Sequence, residues 1–305
     1  MNKNLDLIFE KYSNVKLVSF KESNDSYKLI IELPKAFSRK PLEDEVKKVL
    51  GENVKFVFYE QEEIQARSFK KVIGVSSGKG GVGKSSVSLH LAFALKEMGY
   101  KVGILDADIY GPSIPVFLNI KEKPTSLDGR TIQPIETHGI QVLSMGLFLE
   151  NNQAAIWRGP MLVSAFTQFL EQGNWDCDYL IVDFPPGTGE LHMTCSKIAP
   201  DLESLIITIP SKVSYADAFK MFVSLKTMDM KILGFVENMA SFKCKSCGCS
   251  ENLSKDNKID NLEMLSSMPY FAEFFDLNES GYPVDYKQGV ESSYFKSLAE
   301  KVINL

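Results

Sequence analysis

From residue 69 onward, short runs that are apolar at nearly every position alternate with stretches whose apolar residues recur every three or four positions. The runs are VIGV (72–75), VGILDAD (102–108), IQVLSMG (140–146), YLIVD (179–183), LIITIP (205–210) and ILGFVEN (232–238). Unbroken apolar character predicts strands buried on both faces. Between them, Val87, Leu91, Ala94, Leu95 and Met98 predict one face of a helix that stops near Gly99. Leu162, Val163, Phe166 and Phe169 do the same for a helix that starts at Pro160. Ser214 and Asp217 predict a capping-box start for a helix running to Met228. The alternation implies an α/β fold, a mostly parallel, doubly wound sheet with helices on both faces.

Residues 1–60 have a different rhythm. Val15–Phe20 and Tyr27–Leu33 read as strands across the polar turn at residues 22–25, a helix starts at Pro41 with Leu42, Val46, Val49 and Leu50 on one face, and VKFVFY (54–59) supplies a third strand. This predicts a small α+β domain, followed by a charged linker over 61–68 and a second domain over 69–305. The first unit contains no cysteine or histidine and no catalytic spacing, so it reads as a docking or stabilising appendage.

Hydrophobic residues make up 44% of the 305, ample for a packed core, and the net charge of −5 gives no general attraction to nucleic acid or to anionic lipid. Asp6 and Glu10 interrupt the first apolar stretch, and no apolar run reaches membrane-spanning length. The expectation is a cytoplasmic protein with neither nucleic acid nor membrane as partner.

The first stretch with specific chemistry is VIGVSSGKGGVGKS (72–85). An apolar strand meets Gly78, Lys79, Gly80, Gly81, Val82, Gly83, Lys84, Ser85 and Ser86, and a helix begins at Lys84. The spacing fits G-x-x-x-x-G-K-[ST], in which backbone N–H groups and a helix N-terminus cradle phosphate oxygens. Lys84, expected to face solvent, reaches the β and γ phosphates, and the Ser85 hydroxyl ligates Mg²⁺. Asp106, Asp108 and Asp183 end predicted strands, where they are placed to surround Mg²⁺ and an attacking water. After Asp183, FPPGTGE carries Gly187 and Gly189, which permit a switch segment to swing toward a γ-phosphate. His90 and His192 read as structural residues; Trp157 and Arg158 precede a helix and read equally as interface or as packing.

Of five cysteines, Cys177 and Cys195 stand alone while Cys244, Cys247 and Cys249 cluster. In a reducing compartment such a cluster points to metal, with an iron–sulfur cluster, zinc and a redox dithiol all open. One chain offers too few ligands for a tetrahedral site unless Cys249 and a histidine join, and a symmetric dimer solves that count.

GKGGVGKS, DADIYGPS (106–113), WRGPM (157–161), DFPPGTGE (183–190), VENM (236–239) and Cys244-x-x-Cys247 together resemble the Mrp/ApbC iron–sulfur carrier ATPases, of the deviant Walker A class that also holds MinD and ParA. The resemblance covers roughly residues 69–305, and the N-terminal unit resembles a reduced MIP18-type domain. It implies that Lys79 contacts nucleotide phosphate across a homodimer interface, that Asp108 positions the water with Asp106 beside it, and that Asn238 bonds adenine. It also implies that Cys244 and Cys247 supply two thiolates per subunit to a bridging 4Fe-4S cluster. The expected function is an ATP-binding, slowly hydrolysing carrier that takes clusters from scaffold proteins to apo iron–sulfur proteins. A positioning ATPase of ParA or MinD type and a nucleotide-sensing scaffold are the alternatives. The C-terminal helix, SYFKSLAEKVINL, lacks the basic amphipathic character of a membrane anchor, which disfavours the first of these.

Overall fold

The computed structural model describes residues 5, 8–9, 11–12, 15–23, 26–34, 37–61, 69–126, 131–148, 159–244, 246–254, 258–271 and 290–305. Trp157, Arg158 and most of the expected linker lie outside them. The chain divides into two compact units, Met1–Ser68 and Phe69–Leu305.

In the first unit β1 (Lys16–Ser23) pairs antiparallel with β2 (Ser26–Pro34), and α1 (Arg39–Leu50) crosses over to β3 (Val54–Gln61), which lies parallel to β2. Leu29, Ile31 and Leu33, alternate residues of β2, are fully buried against Leu42 and Val46 of α1. The helix starts two residues before Pro41, which is tolerated because N–H groups of the first turn have no intrahelical partner.

The second unit runs β4 (Lys71–Ser77), α2 (Lys84–Glu97), β5 (Val102–Asp106), α3 (Ile114–Phe117), β6 (Ile135–Thr137), β7 (Ile140–Ser144), α4 (Gly159–Gln172), β8 (Tyr179–Asp183) and α5 (Glu190–Ile198). It continues with β9 (Glu203–Thr208), α6 (Lys212–Thr227), β10 (Lys231–Glu237), β11 (Ser241–Lys243), β12 (Ser250–Asn252), β13 (Met264–Ser267) and α7 (Val290–Asn304). Eight strands form one sheet in the order β13-β10-β9-β4-β8-β5-β7-β6, parallel except where β6 pairs antiparallel with β7. β11 and β12 form a separate hairpin.

Both faces of the sheet are buried. On β8, Ile181 joins a core with α2 and α7, while Leu180 and Val182 join one with α4, α5 and α6. Such strands have no polar face to show, which is why their sequences are unbroken apolar runs. No helix among the described residues is long and apolar enough to cross a membrane.

Two expectations from the sequence are corrected here. α2 is not one-sided: every residue from Val87 to Leu95 is buried, because Phe295, Leu298 and Val302 of α7 cover the side turned from the sheet. Lys71 Nζ and Lys301 Nζ pin α7 in place, bonding the carbonyls of Val302 and Leu265 at 2.9 and 2.6 Å. Ser214 and Asp217 do not cap α6, which already begins at Lys212 after Ser211. Instead Ser214 Oγ lies 2.9 Å from Thr208 Oγ1 and accepts from the N–H of Ile209 at 3.3 Å, tying the helix to the end of β9.

Candidate functional site

The site lies at the C-terminal ends of the parallel strands. β4 is where successive connections leave in opposite directions, toward β8 and β5 on one side and toward β9 and β10 on the other. In an open α/β sheet this switch point is where ligands bind. Gly81 and Gly83 adopt φ of +79° and +83°, a left-handed backbone that lets the loop turn back and start α2. Gly78 is glycine for another reason: a Cβ there would collide with the backbone carbonyl of Asp217 in α6. The side-chain amide of Asn238, just past β10, donates to the carbonyl of Val82 at 2.9 Å, so it is brought onto the loop. On the other flank the N–H of Gly187, in the switch segment after β8, donates to the carbonyl of Ser77 at 2.8 Å. Gly80 and Gly81 are exposed, and Ser85 and Ser86 half-buried.

Lys84 does not face solvent as expected. It is 6% exposed, with Nζ 2.9 Å from Asp183 Oδ1, 3.8 Å from Asp108 Oδ2 and 3.3 Å from Ser85 Oγ. Its position at the start of α2 points it inward over the ends of β5 and β8, where three carboxylates would otherwise be uncompensated. Asp183 is fully buried, and its Oδ1 also accepts from Ser88 Oγ at 2.7 Å while Oδ2 has no partner among the described residues. An orphaned carboxylate oxygen with the Ser85 hydroxyl nearby is a hard-oxygen donor set that fits Mg²⁺.

Asp106 turns inward. Oδ1 accepts from the N–H of Asp108 at 3.1 Å and Oδ2 from Ser144 Oγ at 3.1 Å, so it braces the turn that presents Asp108. Burial, then the charge of Asp183, pushes its carboxyl well above the usual range, against the opposing pull of Lys84. Asp108 is raised as well, chiefly by burial, and its Oδ1 accepts from the N–H of Gly111 at 3.2 Å.

Lys79 is half-buried, and no ion pair joins it to a described residue. Behind the loop, His192 Nε2 lies 3.0 Å from Ser76 Oγ and the ring stacks on Phe184 at 4.2 Å. Burial, then the charge of Lys84, lowers the imidazole to about 4, so it is neutral. His90 is buried in α2 with Nδ1 2.6 Å from the Ser86 carbonyl. Ser88 and Ser144 were missed by sequence reasoning. Ser88 was findable, since it lies four residues after Lys84 on the same helix face; Ser144 is brought by the β5–β7 pairing, which no local signal announces.

The clustered cysteines cap the β11–β12 hairpin, whose strands leave the site directly after Asn238. The N–H of Cys244 donates to the carbonyl of Cys249 at 2.9 Å, and Gly248, at φ +73°, donates back to Cys244 at 2.8 Å. The backbone N–H of Cys249, then the thiols of Cys244 and Cys249, hold the exposed Cys247 thiol below its usual range. Among the described residues no three His, Cys, Asp or Glu side chains are grouped to hold a metal ion. Beside the hairpin is a mostly apolar cleft of about 500 Å³ lined by Ile209, Pro210, Met239, Phe242, Leu253 and Tyr270.

Residues 68–303 match the family model described as ParA, the NUBPL iron-transfer P-loop NTPase. The iron-sulfur cluster carrier protein of Haemophilus influenzae is 41% identical over 246 residues, 77% of this chain and 66% of that protein. The protein of the same name from Escherichia coli K12 is 38% identical over 243 residues, 76% and 66% of the two chains. This chain thus spans just under two thirds of the length of these relatives. Among solved structures, a nucleotide-binding protein in complex with ADP from Archaeoglobus fulgidus matches with a TM-score of 0.60 and 29% identity, over 77% of this chain and 91% of that one. MinD of Pyrococcus horikoshii with Mg-ADP shares the fold at a TM-score of 0.56 and 22% identity, over 76% and 95%. With most of its length matched and its phosphate loop built as described, the chain belongs to the family of NUBPL iron-transfer P-loop NTPases.

Proposed function

We propose that this chain binds and slowly hydrolyses ATP and carries a 4Fe-4S cluster, held between two copies of itself, to apo iron–sulfur proteins in the cytoplasm. The observation that carries this reading is the origin of the cysteine hairpin, which leaves β10 directly after the residue bonded to the phosphate loop. The hairpin that carries the thiols at its tip starts from the strand end that touches the loop, so a movement of that strand end would be passed to the hairpin.

The residues divide as follows. Lys84 binds the β and γ phosphates, which compete for its ammonium with Asp183 and Asp108. Ser85 and Asp183 hold Mg²⁺, which neutralises phosphate charge when bound. Asp108 orients the attacking water; its raised carboxyl lies nearer working pH than a free aspartate, which suits a base. The cleft at the ends of β9, β10 and β13 takes the base. Neighbouring strands are about 4.8 Å apart, so it lies on the order of 10 Å from the loop after β4, a span a nucleotide bridges. Lys79, which forms no ion pair with a described residue, acts on the nucleotide of the other copy. Cys244 and Cys247 from two chains meet at a two-fold axis and offer four thiolates to the cluster.

Anaerobic reconstitution with iron and sulfide tests this reading. The expected product absorbs in the thiolate-to-iron region and contains about two irons per chain, half of one cluster. Cys244→Ser or Cys247→Ser abolishes it and leaves ATP binding intact. Four irons per chain, or full retention in Cys244→Ser, overturns the shared site.

A further inference from the structure

We propose that Cys244 and Cys249 form an oxidative modification site, closing a reversible disulfide across the hairpin with an external small-molecule disulfide as co-reactant. The register places them there. Ser241 faces Asn252, Phe242 faces Glu251 and Lys243 faces Ser250; past that last pair both Gly248 and Cys249 bond to Cys244, a bulge with Gly248 at φ +73° that sets Cys249 against Cys244. Their backbones are already joined, N–H of Cys244 to carbonyl of Cys249, at 2.9 Å. Directly opposed residues of an antiparallel pair sit about 4.5–5.5 Å apart at Cα. A disulfide spans about 4.4–6.8 Å at Cα, so two cysteines opposed across the hairpin end lie within its reach. Cys247 sits between them in the turn, with its sulfur contacted by both other thiols and by the N–H of Cys249.

Exposure sets the order of events. Of this pair Cys249 is exposed and Cys244 half-buried; Cys247 is exposed as well, which is why the Cys247→Ser variant enters the test below. The Cys249 thiolate attacks the external disulfide RSSR, forming Cys249–S–SR and releasing RS⁻, which takes up the proton Cys249 lost. The Cys244 thiolate then attacks the Cys249 sulfur and expels the second RS⁻, which takes up the proton from Cys244. Two protein thiols are oxidised and RSSR is reduced to two RSH. The consequence for loading rests on the carrier reading above: the disulfide withdraws Cys244, one of the two proposed ligands, so the oxidised chain does not accept a cluster.

The experiment treats the reduced, cluster-free full chain with oxidised glutathione, then denatures it, alkylates it and maps its peptides. The alkylatable thiols should fall from the five in the sequence by two, with Cys244 linked to Cys249. Cys247→Ser should still cross-link, and Cys249→Ser should lose no thiol pair. A Cys244–Cys247 linkage, a persistent glutathione adduct on Cys249, or cross-linking of Cys249→Ser at the wild-type rate overturns the proposal. Reconstitution of the oxidised chain should then yield at least tenfold less bound iron, restored by dithiothreitol. A chain that cross-links but binds no iron when reduced keeps the disulfide site and loses the carrier reading; iron loading without the cross-link does the reverse.

Discussion

The Asn238 side-chain amide donates to the carbonyl of Val82 at 2.9 Å, and the same nitrogen occupies the space that a Cβ on Gly83 would need. The end of β10 is therefore fitted to the bend of the phosphate loop. Asn238→Ala removes one buried hydrogen bond and the filler beside Gly83. The loss is on the order of 1 kcal/mol, which becomes about fivefold weaker ATP binding if it falls on the nucleotide-competent loop. Calorimetric titration with Mg-ATP checks this, and an unchanged affinity removes Asn238 from the nucleotide site.

Lys84 and Asp183 give a less familiar prediction, because the lysine is buried with carboxylates. Lys84→Ala should lose ATP binding and also destabilise the empty protein by about 3–5 kcal/mol, the cost of leaving buried charge unpaired. Adding Asp183→Asn should recover much of that stability and none of the ATP binding. Urea unfolding of the two variants decides the matter: a Lys84→Ala chain as stable as wild type would show that the buried pair carries no net charge burden.

How much of this was legible in the sequence depends on how local the cause is. The strands of the main sheet and the strand–glycine loop–helix segment at 71–97 were legible, because burial on both faces and a glycine-lysine spacing are written in consecutive residues. The inward turn of Lys84 was not, since the carboxylates that attract it arrive from β5 and β8, far away in the chain. Ser214 misled for the same reason: its capping pattern is genuine locally, but Thr208 in the neighbouring strand holds its hydroxyl. The cysteines were legible as a cluster, whereas their order across a hairpin became visible only through the β11–β12 register.

His192 makes stability depend on pH. Its folded imidazole titrates near 4, below the ordinary 6.5, because burial disfavours the cation. Between these values the unfolded chain binds more protons, so stability rises with pH; the contribution is complete above about 6.5 and is lost as pH falls toward 4. The shift corresponds to about 3 kcal/mol at most. Asp106, raised rather than lowered, acts with the opposite sign and is common to any variant compared. His192→Gln should keep a neutral partner for Ser76 and shed most of the His192 share of the acid loss. Unfolding free energies at pH 7.5 and 5 for both chains would show it, and equal losses would disprove a neutral buried imidazole.

Lys79 supplies the final prediction, which concerns which chain it serves. Lys84 already fills the lysine position of the G-x-x-x-x-G-K-[ST] spacing, so the phosphate site of one chain does not require Lys79. Lys79, half-buried, lies between Gly78 and the exposed Gly80, and Ser77 Oγ donates to its backbone carbonyl at 3.0 Å, which fixes the backbone there. A lysine that forms no ion pair with a described residue, in the loop proposed to hold the phosphates, is suited to reach a second copy. Lys79→Ala and Asp108→Ala should each hydrolyse ATP at least tenfold more slowly, in the range seen when a charge-stabilising group or a water-orienting carboxylate is removed. Mixed together, they should regain activity, because half of the sites in a mixed dimer combine an intact Asp108 with an intact Lys79 from the other subunit. Activity that stays at the average of the two separate variants at every mixing ratio would place Lys79 in its own chain's site.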